Sequence, residues 1–98
     1  MLFAVMFEDD ETMAHMRPQH MPAHLAFLEA NAAAIRSAGP LRETIADIPA
    51  GGLWLVEAPD AAAVTDFIEA DPFWPTGLRK SVRVLEWRRV FAEGQRLI

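Results

Sequence analysis

The sequence predicts one α+β domain of order β-α-β-β-α-β, the split βαβ arrangement, and three features carry that expectation. Two short runs, residues 2–7 (LFAVMF) and 53–58 (LWLVEA), are apolar on both faces. Two longer stretches, 20–37 and 61–70, place apolar residues at helical spacing and stop at Gly39-Pro40 and Asp71-Pro72. In this topology the first and third strands are central, and the two runs without a polar face occupy those places.

The first strand, residues 2–7, sets Leu2, Ala4 and Met6 on one face and Phe3, Val5 and Phe7 on the other. The acid-rich stretch Glu8 to Thr12 reads as a solvated loop. Pro18 and Pro22 interrupt any earlier helix, so the first helix is expected to start near His20 or Met21, where proline sits in the first turn. It then runs through Leu25, Leu28, Ala32 and Ile35 to Ser37. Leu41 to Ile48 alternates weakly and suits an edge strand, with Pro49-Ala50-Gly51-Gly52 as the turn that follows. Residues 53–58 form the third strand. Asp60 caps a second helix, Ala61 to Ala70, whose Val64, Phe67 and Ile68 share a face. A loop rich in Pro, Trp and Gly leads to a last strand, Ser81 to Ala92, and a short tail.

Composition limits the classes of function. Ninety-eight residues make a single domain with a modest core. The hydrophobic share of 52% exceeds the globular norm of roughly 45–50%. Helices cover only one face of the sheet, so the surplus points to a homodimer in which the other face meets a second sheet across a two-fold axis. A net charge of −5 and a pI near 5.0 argue against nucleic acid as a partner. There is no cysteine, which excludes disulfides and thiolate zinc sites. The apolar N-terminus lacks a basic flank and is too short to span a membrane, so a cytoplasmic protein with no membrane partner is expected.

The chemistry centres on His24. Met21, His24, Leu25 and Leu28 share one helical face, which puts an imidazole at the edge of a core. Such a group is either a satisfied structural residue or a base set by its surroundings. Asp71 is the acid that decides between these. It stands at the carbonyl end of the second helix, where the macrodipole disfavours an anion, and it requires compensation. It either accepts an N–H from His24 on the neighbouring helix or accepts backbone N–H groups in the turn before Pro72. Phe73, Trp74 and Trp54 are candidates for an apolar substrate wall, with core or dimer packing as the alternative for each. Arg79 and Arg83 are candidates for holding a carboxylate or phenolate. His20 and His24 have the i,i+4 spacing of two metal ligands, but Pro22 lies between them and no third ligand is evident, so no metal and no cofactor is assigned.

Several short pieces recur in order: the apolar N-terminal strand, Pro22-Ala23-His24-Leu25-Ala26-Phe27-Leu28, Ala38-Gly39-Pro40-Leu41, Ala70-Asp71-Pro72-Phe73, Gly77-Leu78 and Trp87-Arg88. Over nearly the whole chain, 1–98, they resemble the YCII-related family, also called YciI-like proteins. The resemblance implies a ferredoxin-like fold assembled as a dimeric α+β barrel, with active-site His and Asp residues that fall on His24 and Asp71. Relatives include a dehydrochlorinase acting on a chlorinated hydroxyhydroquinone. The family often has an arginine three residues before the histidine; here that position is Met21, and Arg17 lies farther upstream.

Ionised Asp71 would hold one tautomer of His24, leaving the other ring nitrogen as a general base near neutral pH. No serine or cysteine nucleophile accompanies the pair. The expectation is therefore proton abstraction from a small organic molecule, lyase- or isomerase-like, of the kind dehydrohalogenation requires. The rival is a dimeric ligand-binding or accessory domain that performs no reaction.

Overall fold

A computed structural model describes all residues from Met1 to Ile98. The main elements are β1 (Leu2–Asp9), α1 (Met16–Ala30), β2 (Ile35–Glu43), β3 (Ile48–Glu57), α2 (Ala61–Ala70) and β4 (Arg79–Glu86). Single 3-10 turns at Glu11–Met13 and Trp74–Thr76 precede α1 and β4, and a small hairpin, β5 (Phe91–Ala92) and β6 (Gln95–Arg96), ends the chain. The four long strands form an antiparallel sheet of order β2-β3-β1-β4, the ferredoxin-like arrangement, with the two doubly apolar strands in the middle.

Register follows from alternation along the strands. Val5 lies opposite Trp54 and Phe3 opposite Val56, so these side chains fall on one face. That face is the core: Phe3, Val5, Phe7, Trp54 and Val56 pack beneath Val64 and Ile68, one helical turn apart on α2, with Phe27 and Leu28 of α1 alongside. Asp60 begins α2 by accepting the Ala63 N–H at 2.9 Å. On the other face Leu2, Ala4 and Met6 align with Leu53, Leu55 and Leu85. No helix covers this second face.

Three boundaries differ from those expected. The first helix begins at Met16 and runs through both prolines. The spacing of the prolines limits the damage. Pro18 lies in the first turn, where an N–H has no partner, and the bond missing at Pro22 is the one its N–H would have made to the Pro18 carbonyl. One hydrogen bond is lost, not two. The helix then stops at Asn31, whose side-chain amide donates to the Phe27 carbonyl at 2.8 Å. Residues 35–40, helical by spacing, pair as a strand with β3, Ala38 opposite Trp54. Sheet pairing overrides their helical propensity.

In consequence β2 occupies 35–43 in place of 41–48, and the β2–β3 turn falls at residues 44–47. Asp47 takes a left-handed conformation there (φ 57°) and accepts from Arg42 Nε at 2.6 Å. Pro49 to Gly52 belong to β3. Gly51 serves close strand approach: with φ 84°, a Cβ on it would lie 1.8 Å from the Phe7 carbonyl oxygen. The last strand ends at Glu86, short of Ala92. The terminal hairpin turns through Glu93 and Gly94, both at positive φ, as a two-residue turn of the primed type requires. No helix is long and apolar enough to cross a membrane.

Candidate active site

Pro72 forces Asp71 into extended backbone (φ −63°, ψ 130°), ending α2 and turning its side chain toward α1. His24 Nδ1 lies 2.7 Å from Asp71 Oδ1, and the two residues are only 7% and 2% exposed. The same oxygen accepts the Phe73 backbone N–H at 3.1 Å. Both sequence alternatives for Asp71 therefore hold at once. The Phe73 ring stacks on the imidazole with centroids 4.2 Å apart, and Trp54 stands behind it at 6.4 Å. An ionised carboxylate can only accept, so Nδ1 carries the proton and Nε2 keeps its lone pair. Nε2 makes no hydrogen bond within the protein and retains solvent contact.

A line of alternating charges runs from the imidazole to the surface. Arg79 Nη2 is 3.7 Å from Asp71 Oδ2, while Arg79 Nη1 donates to Asp9 Oδ1 at 3.1 Å. Arg17 Nη2 donates to Asp9 Oδ2 at 3.0 Å and to Glu11 Oε1 at 2.8 Å. The Glu11 hydrogen bond, opposed by partial burial, raises the Arg17 pKa further, so its charge is fixed. The Asp9 side chain is 4% exposed, which corrects the expectation of a solvated loop from Glu8 to Thr12. A carboxylate this deep requires partners, and it has a guanidinium on each oxygen. The remainder of that segment is wet. Asp10 caps the following 3-10 turn, and the Thr12 hydroxyl holds its carboxyl below the usual carboxylate range.

Between α1 and the ends of β2 and β3 lies a cleft of about 170 Å³, walled by His24, Trp54, Phe73, Arg79, Leu28 and Arg17 among others. An apolar cavity of about 150 Å³ accommodates benzene, so this one suits a single six-membered ring. Met21 and Leu25 complete the α1 wall beside His24, and Gly39, Gly51 and Gly52 keep the opposite wall low.

Of the residues singled out from sequence, the fold brings His24, Phe73, Trp54 and Arg79 to the cleft, with Asp71 directly behind the imidazole. Trp74 is not among the cleft walls. It starts the 3-10 turn after Phe73 and is 38% exposed, because that turn sends consecutive side chains in different directions. Arg83 lies opposite Met6 on the uncovered sheet face, away from the cleft. His20 joins no group of three or more side chains able to hold a metal. Asp9 and Arg17 belong to the site although the sequence did not single them out. Asp9 continues the row Phe3, Val5, Phe7, and that alternation was the available signal. Arg17 was hidden by the expected late start of the helix; with α1 beginning at Met16 it stands two turns before His24 on the same side.

No curated protein matches the chain. Among solved structures it is similar to 5-chloro-2-hydroxyhydroquinone dehydrochlorinase from Burkholderia phenoliruptrix, determined in complex with 2,5-dihydroxybenzoquinone. The two share 32% identity over 90% of this chain and 94% of that one, with a TM-score of 0.77. The family model of the YCII-related domain matches residues 1–88, all of the four-stranded sheet and both helices. The chain belongs to the YCII-related family.

Proposed function

We propose that the protein is a small-molecule enzyme of lyase or isomerase type, in which His24 is the general base and Asp71 its orienting acid. The observation that carries the reading is the 2.7 Å contact between them at the wall of a one-ring cleft. Asp71 holds the Nδ1–H tautomer, so Nε2 takes a proton from an activated C–H or O–H of the bound ring. Asp71 then stabilises the imidazolium that forms. In an elimination, the electron pair left behind forms a C=C or C=O bond as the leaving group departs as an anion. The imidazolium afterwards returns its proton to water. Every group in this sequence belongs to the chain itself, and no cofactor is given a step. The similarity to a dehydrochlorinase supports elimination of halide as the first reaction to try. Trp54 and Phe73 supply the apolar walls that hold the ring.

The test is chloride release from 5-chloro-2-hydroxyhydroquinone and related halogenated hydroquinones. His24→Ala is expected to lower kcat by about 10²–10⁴-fold, the usual worth of a positioned base. Asp71→Asn should cost a large part of the same factor by favouring the wrong tautomer. If turnover occurs and both variants match the wild type, the base assignment is lost. Failure of every substrate of this class favours the non-catalytic binding domain.

We also propose a homodimer formed through the uncovered sheet face. The apolar row of Leu53, Leu55, Met6 and Leu85, the last 40% exposed, supports it. A two-chain species in sedimentation at micromolar concentration is the expected result.

A further inference from the structure

Arg79 is bound in an incomplete way. Its guanidinium plane is occupied on its faces, with the Phe7 ring centroid 4.0 Å from the central carbon and that of Phe73 at 5.3 Å. One end, Nη1, is committed to Asp9. The remaining edge, formed by Nε and Nη2, is unfilled. Nε is a buried N–H with no hydrogen-bond partner, and Nη2 approaches Asp71 only to 3.7 Å, beyond hydrogen-bond reach. Nη2 is also open to solvent contact on the cleft side. This is the edge with which arginine grips oxyanions side-on. Buried donors without partners are rare in folded proteins, and one next to a cleft is a place where a ligand atom is missing.

The charges at the cleft wall point the same way. Arg17 and Arg79 line it with only one carboxylate, Asp9, since Asp71 stands behind the imidazole and Glu11 lies outside. With His24 neutral the wall carries one positive charge in excess. The two oxygens of Asp71 face Nδ1 of His24 and Nη2 of Arg79, so the base and the open guanidinium edge flank a single carboxylate and lie within reach of one ring.

We propose that Arg79 is the specificity residue of the cleft: its open Nε/Nη2 edge takes an ionised ring oxygen, an enolate or phenolate. The acidic hydrogen of the same ring is thereby set opposite Nε2 of His24. The protein selects one-ring compounds that are anionic at neutral pH and excludes neutral rings of equal size. This deepens the general-base reading and rests on it for the hydrogen that is removed. The binding preference itself does not require turnover.

The experiment is calorimetric titration at neutral pH with 2,5-dihydroxybenzoquinone, which is ionised there, and hydroquinone, which is not. The titrations use the wild type, Arg79→Lys and His24→Ala. Lysine keeps the charge and can still pair with Asp9, but has no side-on edge. Arg79→Lys is expected to weaken binding of the anion by about tenfold to a hundredfold and to leave hydroquinone unchanged. Circular dichroism must show the wild-type fold, and if the lysine variant misfolds, the wild-type preference for the anion over hydroquinone decides alone. Equal binding of both rings by the wild type, or an undiminished anion affinity in folded Arg79→Lys, overturns the proposal. His24→Ala separates the two ideas. A retained anion preference in that variant upholds Arg79 whatever its turnover shows, whereas wild-type turnover in it removes only the base.

Discussion

The two faces of the sheet are made by the same central strands, β1 and β3, yet they are finished in opposite ways. On the face under the helices the row Phe3, Val5, Phe7 ends in a buried carboxylate, Asp9, and the neighbouring row includes Trp54 beside the imidazole of His24. On the other face Leu2, Ala4, Met6, Leu53, Leu55 and Leu85 form an apolar surface with no charged residue at its centre and no helix above it. The contrast marks where this domain accepts the cost of burying charge. Ions are confined to the covered end of the sheet, where each has a partner, and the bare face is left to hydrophobic contact alone.

Phe3→Ala should produce the largest change in stability. Phe3 is 3% exposed in the core, and its loss should cost about 3–5 kcal/mol in urea unfolding at any protein concentration. Leu53→Asp, on the bare face, should leave the single chain folded but shift sedimentation from a two-chain to a one-chain species. Equal destabilisation by both, independent of concentration, would erase the distinction between the faces. Next comes the charged row. Asp9→Asn leaves Arg17 and Arg79 facing each other without the anion between them, and should destabilise by about 3 kcal/mol, the lower end for breaking a buried pair. A double substitution that also removes the Arg17 charge should recover part of this, and strict additivity would show that the two arginines do not communicate through Asp9.

The smallest effect is the response to acid at the margin of the same row. Hydrogen bonds from Thr12 lower the Asp10 pKa below its unfolded value. Its contribution is therefore present above the ordinary carboxylate range and disappears as pH falls through the lowered folded value. The melting temperature of Asp10→Asn should fall below that of the wild type at pH 7, and the difference should shrink on acidification. A difference that grows on acidification would contradict the capping role.

Much of the architecture is legible in the residues themselves. Two doubly apolar runs mark the central strands, and Asp71-Pro72 marks the end of α2 along with an anion in need of a partner. The pairing of His24 with Asp71 follows because both helices must lie on the same side. What escaped had one physical origin, the competition between local and long-range interactions. The alanine-rich segment after Glu29 reads as helix, but β3 offers Ala34 to Glu43 an edge to pair with, and Asn31 provides the stop. Pro18 and Pro22 read as barriers because each alone removes a bond, and only their spacing of four makes the losses coincide. Asp9 reads as solvated because its neighbours Glu8, Asp10 and Glu11 are; its arginine partners come from positions 17 and 79, and no local pattern announces them.

The double hold of Phe73 has a consequence for how this scaffold can be altered. One residue steadies the acid through its amide and the imidazole through its ring, so both reactive groups are referenced to a short segment just after α2. The cleft wall contributed by α1 and β2, where Met21, Leu25, Ala38 and Pro40 stand, has no share in that alignment. Side chains there can be exchanged to admit differently decorated rings while the proton-transfer geometry stays as it is.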